Sequence, residues 1–220
     1  MGLIEKLGVW AWPDYAAPPF VFERPRVSTS VIYENRFFSA LLYQTGRLFL
    51  KAFGWKVIGD FPKDAKFVAI AAPHTSNWDF PVFMAAVGYL RLHISFLGKH
   101  TLFKGPLGWF FYWLGGIPVV REGKSAADVV DRAVEEFEKR DRLILGLAPE
   151  GTRSKVTKWK TGFYRIAVQA GVPILRAYLD ASIKEIGFGD LFYPTGDMEA
   201  DLKALQAFYA GKQGINPKNQ

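Results

Sequence analysis

Lys66-Phe-Val-Ala-Ile-Ala-Ala72 runs directly into Pro73-His-Thr-Ser-Asn-Trp-Asp79 and then into Phe80-Pro-Val-Phe-Met-Ala-Ala-Val-Gly-Tyr-Leu90. The first stretch is a short apolar run bounded by turn residues, the pattern of a buried strand. The last reads as helix from Met84 to Leu90, with Ser76 or Asn77 as candidate cap and Pro81 tolerated in the first turn. A buried strand, a polar loop and a helix in direct succession is the opening of a strand-helix-strand unit.

The same alternation continues outward. His93–Leu97 reads as a strand, and Ser125 caps a helix to Arg140, with Asp128 three residues on and Val130, Val134 and Phe137 on one face. Arg142–Ala148 is a second apolar strand, Thr161–Ala170 a helix ended by Gly171, Pro173–Leu179 a strand and Met198–Ala210 a helix. Upstream, Phe37, Leu41, Leu48, Phe49 and Ala52 follow a helical period from Arg36 to Phe53, with Arg36, Arg47 and Lys51 off that stripe. The expected fold is α/β: a single domain, residues 36–220, with a largely parallel central sheet flanked by helices and a motif core at 66–180. Residues 1–35 form an N-terminal arm in which Pro13, Pro18, Pro19 and Pro25 alternate with Trp10, Trp12, Tyr15, Phe20 and Phe22. Such a segment packs either on its own domain or, as Trp/Tyr anchors do, at a membrane interface.

With 220 residues, half of them hydrophobic, the chain fills one sizeable core. Its formal charge of +7 is concentrated: residues 91–124 carry +4 and residues 153–176 carry +6 with no acid, so the rest of the chain is at −3. The absence of cysteine excludes disulfides, thiolate nucleophiles and Cys-ligated zinc. The N-terminus has no basic segment leading into an apolar run, and Lys6 stands where a myristoylation signal carries Ser or Thr, so the expectation is a cytoplasmic-side, unlipidated protein. Gly105–Val120 is short for a membrane span and is broken by Pro106, Gly108, Gly115, Gly116 and Pro118.

Two strand-end loops carry chemistry. His74 lies five residues before Asp79, near enough for the carboxylate to meet the ring across a turn, fix its tautomer and stabilise the imidazolium. The alternative is a surface His beside a helix-capping Asp. Leu147-Ala-Pro-Glu-Gly-Thr-Arg-Ser154 places the Glu150 carboxylate, a permissive Gly151, the Thr152 hydroxyl and the Arg153 guanidinium on one loop. There Arg153 can grip a phosphate and Glu150 can accept from a hydroxyl; the bland alternative is a tight turn with a surface ion pair. His93 and His100 read as structural, and with no His-Glu-x-x-His and no carboxylate cluster no metal is expected. No Gly-x-Ser-x-Gly elbow is present. The five consecutive aromatics Trp109–Trp113 suit either core packing or a lipid-facing patch or acyl groove.

Taken together these blocks resemble the glycerolphosphate and lysophosphatidate acyltransferase family, whose four ordered motifs fall between Pro73 and Leu175. His74-Thr-Ser-Asn-Trp-Asp79 matches the catalytic His-x4-Asp block, Gly116-Ile-Pro-Val-Val-Arg121 the second, Glu150-Gly-Thr-Arg-Ser154 the third and Val172-Pro-Ile174 the core of the fourth. Lys99 sits where many members hold a phosphate-binding Lys, and Arg121 where the acceptor-binding Arg stands. Pro73, Ala148 and Arg176 depart from residues common in the family and leave the acceptor open.

The resemblance implies an O-acyltransferase with His74 as general base and Asp79 as its orienting partner, and with Lys99, Arg121, Glu150, Gly151, Thr152 and Arg153 binding substrate. It implies no cofactor beyond acyl-CoA or acyl-carrier protein as co-substrate. The partners would be that acyl thioester donor, a lysolipid acceptor with lysophosphatidate as default, and an anionic membrane surface met peripherally from the cytoplasmic face. Two other readings compete: a thioesterase-like hydrolase using the same His/Asp pair, and a basic nucleic-acid module. The second lacks any recognition signature and leaves both loops without a role.

Overall fold

A computed structural model describes residues 35–104, 108–120 and 125–219. The stretch 66–72 is the second strand, β2 (Lys66–Ala72), and it runs through the middle of the molecule. Phe67, Val68 and Ile70 are fully buried because β2 is hydrogen-bonded on both sides and covered on both faces. Successive side chains point to opposite faces: Val68, Ile70 and Ala72 join one core cluster, Phe67 and Ala69 another.

In chain order the other elements are α1 (Arg36–Phe53), β1 (Lys56–Ile58), α2 (Asp79–Tyr89), β3 (Ile94–Lys99), α3 (Gly108–Trp113), β4 (Gly116–Val119), α4 (Ala126–Lys139), β5 (Leu143–Leu147), α5 (Gly162–Ala170), β6 (Ile174–Asp180), β7 (Glu185–Phe192) and α6 (Met198–Ala207). Among the described residues seven strands form one sheet in the order β1-β7-β6-β2-β5-β3-β4. Every neighbouring pair is parallel except β6 and β7. The expected single α/β domain with a largely parallel sheet is therefore present. The chain leaves β2, β5, β3 and β4 at the same edge of that sheet, where open α/β folds place their sites.

Helix ends follow local chemistry. The Asn35 carboxamide oxygen accepts from the Phe37 and Phe38 N–H groups, and Ser125 and Asp128 form a reciprocal capping box at α4. Gly54 and Gly171 close α1 and α5 in the left-handed region.

Other expectations need correction. Neither Ser76 nor Asn77 caps α2: the helix starts at Asp79, Trp78 precedes it without a side-chain cap bond, and the helix is longer than Met84–Leu90. The last helix ends at Ala207, followed by turns. Strands β1, β4 and β7 and the short α3 were not foreseen. Residues 1–34 of the arm lie outside the described residues, as does Arg121.

The main correction concerns α1. It lies antiparallel on α2, at a crossing close enough that a Cβ on Gly46 would meet the Ala85 carbonyl oxygen at 2.4 Å and one on Gly88 the Leu42 carbonyl oxygen at 2.6 Å. The face turned inward carries Phe38, Leu42, Gly46, Phe49 and Leu50. Of the stripe singled out from periodicity only Phe49 turns inward; Phe37 is 72% exposed, Leu41 48% and Leu48 68%, and Ala52 is exposed with them. Both faces of this helix are apolar, and the packed one is selected by its glycine. Among the described residues no helix is long and apolar enough to cross a membrane, and no group of three or more metal-ligating side chains occurs.

Candidate active site

β2 ends at Ala72, and the chain turns through Pro73 to present His74 before entering α2 at Asp79. His74 Nδ1 lies 3.1 Å from Asp79 Oδ2. That same oxygen accepts from the N–H groups of Thr75 (2.7 Å) and Ser76 (2.8 Å), so the loop wraps around the carboxylate that starts its own helix. The Asp79 side chain is fully buried, whereas that of His74 is 22% exposed. Only a protonated Nδ1 makes an attractive contact with a carboxylate oxygen. The tautomer is thereby set, and Nε2 carries the lone pair. Asp79 Oδ1 is buried and has no hydrogen-bond partner among the described residues.

The second loop leaves β5, the direct neighbour of β2, in parallel register with Ile70 opposite Leu147. Its Glu150 reaches back across this seam. Oε2 accepts from the His74 N–H at 2.8 Å, so this carboxylate holds the backbone of the candidate base. Burial pushes the Glu150 carboxyl above the usual carboxylate range, and the nearby Asp79 charge adds to this. The His74 N–H and the His74 charge pull in the other direction.

Gly151 turns the chain with φ +65°, a conformation a side chain resists, and its N–H donates to the Ala148 carbonyl at 3.0 Å. The Thr152 hydroxyl accepts from the Ser154 N–H at 3.3 Å, a local turn bond. At the neck of the loop the Lys160 N–H donates to the Pro149 carbonyl at 2.8 Å. Between those points Arg153 is exposed, as are Lys155 and Lys158. Lys99 is the exposed last residue of β3, one strand beyond β5. The structure thus joins His74, Asp79 and Glu150 by direct contacts. Lys99 and Arg153 it sets along the same sheet edge, and Arg121, beyond the end of β4, is not described.

A cavity of about 260 Å³ flanks the loops; its lining includes Pro73, Glu150, Trp159 and Tyr209 but not His74. The aromatic run Trp109–Trp113 divides its faces. Trp113 packs edge-on against Phe38 at 5.0 Å, while Trp109 is 65% exposed. Sequence reading overlooked the backbone role of Glu150 and the burial of Thr75. The first is a contact between residues 76 positions apart, for which a single sequence carries no signal.

Several curated proteins are similar to this chain in sequence. A 1-acyl-sn-glycerol-3-phosphate acyltransferase of Haemophilus influenzae is 31% identical over 138 residues, covering 59% of this chain and 55% of the relative. The Escherichia coli protein described by the same name is 31% identical over 147 residues, covering 63% and 58%. A human 1-acyl-sn-glycerol-3-phosphate acyltransferase beta is 32% identical over 117 residues, covering 51% and 41%. The chain therefore spans about half the length of the curated relatives it matches. In fold it is similar to the crystal structure of the 1-acyl-sn-glycerophosphate acyltransferase from Thermotoga maritima, with a TM-score of 0.56 at 20% identity, covering 81% of this chain and 83% of that one. The family model described as Acyltransferase matches residues 56–179, from the start of β1 almost to the end of β6 and through both loops, and the chain belongs to that family, the one its four blocks resemble.

Proposed function

We propose that this chain transfers a fatty acyl group from acyl-CoA or acyl-carrier protein to the hydroxyl of a lysophospholipid, with lysophosphatidate as the reference acceptor. The observation that carries the reading is the His74 Nδ1 to Asp79 Oδ2 contact of 3.1 Å, made by a half-buried ring on a fully buried carboxylate. His74 Nε2 takes the proton of the acceptor hydroxyl as its oxygen attacks the thioester carbonyl. Asp79 stabilises the imidazolium that forms. Collapse of the tetrahedral intermediate breaks the carbon–sulfur bond, and the leaving thiolate recovers the proton from His74. The Thr75 and Ser76 N–H groups are occupied by Asp79, so donors to the oxyanion come from elsewhere in the site.

The acceptor phosphate is assigned to the cations of the sheet edge. Arg153 offers two parallel donors and Lys99 a point charge, with Arg121 as the third. A lipid substrate requires access from a bilayer, and the outward stripe of α1 supplies an apolar surface. It is joined by exposed Trp78 and Phe80 at the start of α2 and by Trp109 on α3. That surface and the two basic segments support peripheral docking on an anionic membrane, taken here as the cytoplasmic face.

The test is purified protein given acyl-CoA or acyl-carrier protein with lysophosphatidate, products being read by mass spectrometry. Wild type forms phosphatidate, and His74→Ala loses about 10²- to 10⁴-fold in rate, the contribution of a general base. Thioester loss without acylated lipid would make the chain a hydrolase, and a fully active His74→Ala protein would remove the mechanism.

A further inference from the structure

We propose that residues 212–219, which follow α6 and lie outside the family match, form a strap that positions the His74/Asp79 loop, with Asn219 and Gly214 as positioning residues acting through Thr75. The proposal rests on the acyl-transfer reading for its kinetic part only.

Thr75 stands between the two members of the pair and is 1% exposed. It is gripped from a distance of more than 140 residues in sequence: its Oγ1 accepts from the Asn216 N–H at 3.0 Å and its carbonyl from the Asn219 Nδ2–H at 2.9 Å. Gly214 is buried against the same residue, where a Cβ would lie 2.4 Å from Thr75 Oγ1 and 2.6 Å from its Cγ2. The strap is itself well held. The Gln213 carbonyl accepts from the Ala181 N–H at 2.7 Å just past β6, and Ile215 packs on the cluster that contains Val82 and Ala85 of α2. Before it, the buried Tyr209 donates its hydroxyl to the Ile70 carbonyl of β2 at 3.1 Å.

One peptide unit makes this more than packing. The carbonyl that Asn219 grips and the Ser76 N–H that binds Asp79 Oδ2 at 2.8 Å belong to the same planar group, Thr75–Ser76. Asn219 and Asp79 therefore hold opposite ends of one rigid plate. Removing the Asn219 donor frees the plate to rotate, which loosens the Asp79 carboxylate and with it the ring that it orients. Hydrogen bonds in series also polarise one another, so the Ser76 N–H is a better donor while its carbonyl is engaged.

Asn219→Ala and the isosteric Asn219→Asp, which has no donor, test this on the full chain. Two readouts are used: deuterium exchange of the peptide covering residues 72–77, and kcat and KM for acyl-CoA with lysophosphatidate. Both variants are expected to exchange that peptide at least threefold faster while the β2 and β6 peptides stay protected, and to lose about three- to tenfold in kcat with both KM values within twofold. A role in packing alone would tolerate Asp and spare kcat. The strap reading is overturned if exchange at 72–77 is unchanged in both variants, or if exchange rises while kcat stays within twofold of an active wild type. If wild type forms no acylated lipid, the acyl-transfer reading fails separately and exchange alone decides the strap.

Discussion

Asp79→Asn separates the two services that a carboxylate renders to a catalytic histidine, orientation and charge. In many His/Asp pairs the amide is free to turn its NH₂ toward the ring and force the wrong tautomer. Here the N–H groups of Thr75 and Ser76 both point at Oδ2, at 2.7 and 2.8 Å, and two donors cannot face an NH₂ group. The Asn carbonyl oxygen must take the Oδ2 position, where it still accepts from His74 Nδ1, and the NH₂ falls at the buried Oδ1 position. Orientation survives and only charge is lost. At 3.1 Å, Coulomb's law with an effective dielectric of about 20 gives roughly 5 kcal/mol for the ion pair in the transition state. The remaining amide dipole and the exposed side of the ring return part of that, leaving about 3 kcal/mol, or roughly 150-fold in kcat. The assay is steady-state acyl transfer, with ¹⁵N NMR of the histidine ring in the same variant. Protonation at Nδ1 with a loss near 10² is the expected pair of results. An Nε2-protonated ring, or a kcat within threefold of wild type, would refute the reasoning.

Glu150→Gln keeps an oxygen for the His74 N–H and removes a carboxyl whose pKa burial has raised. The unfolded chain loses that proton at the ordinary glutamate value and the folded chain only at higher pH, so wild-type stability falls as pH rises through that window. The Tm of the variant should therefore gain on wild type as pH rises above the ordinary glutamate value in parallel thermal melts; a constant difference would contradict it. Arg153→Ala should raise the KM for lysophosphatidate about tenfold or more, as for a lost charge-assisted contact, and do much less to an acceptor without phosphate; equal losses on the two would show that Arg153 does not read the phosphate. Phe37→Ser with Leu48→Ser should leave the Tm nearly unchanged, since both side chains are exposed, but weaken binding to anionic vesicles at least tenfold. Wild-type binding should weaken as salt is raised, and binding indifferent to both lipid charge and these substitutions would remove the docking surface.

What sequence revealed and what it hid divide along contact range. His74 and Asp79 meet across one turn, so their spacing alone is informative, and β2 announces itself because a strand buried on both faces has a continuous apolar run. The edge elements lack that signal. β4 contains Pro118, tolerated because β4 ends the sheet, and β7 carries Gly187, Gly189 and Asp190 among its apolar residues. α1 misled because periodicity reports that a helix has an apolar stripe without saying what covers it. One apolar stripe faces outward, and the one that contains Gly46 fits α2. The contacts of Glu150, Thr75 and Asn219 were invisible because each is made with a partner that only folding brings near.

The bond between Lys160 and Pro149 closes residues 150–159 into a loop with a sealed neck. Length changes inside such a loop do not propagate into β5 or α5, because the two ends stay joined whatever lies between them. Doubling the enclosed length adds only about 0.6 kcal/mol of closure entropy. With Arg153 meeting the acceptor as proposed, this loop is an exchangeable cassette. On that reading residues 152–158 can be replaced by a longer or differently charged segment, provided that Glu150 is kept to hold His74 and Gly151 to make the left-handed turn, and headgroup preference can drift in evolution or be redirected by design while the chemistry beside it stays fixed.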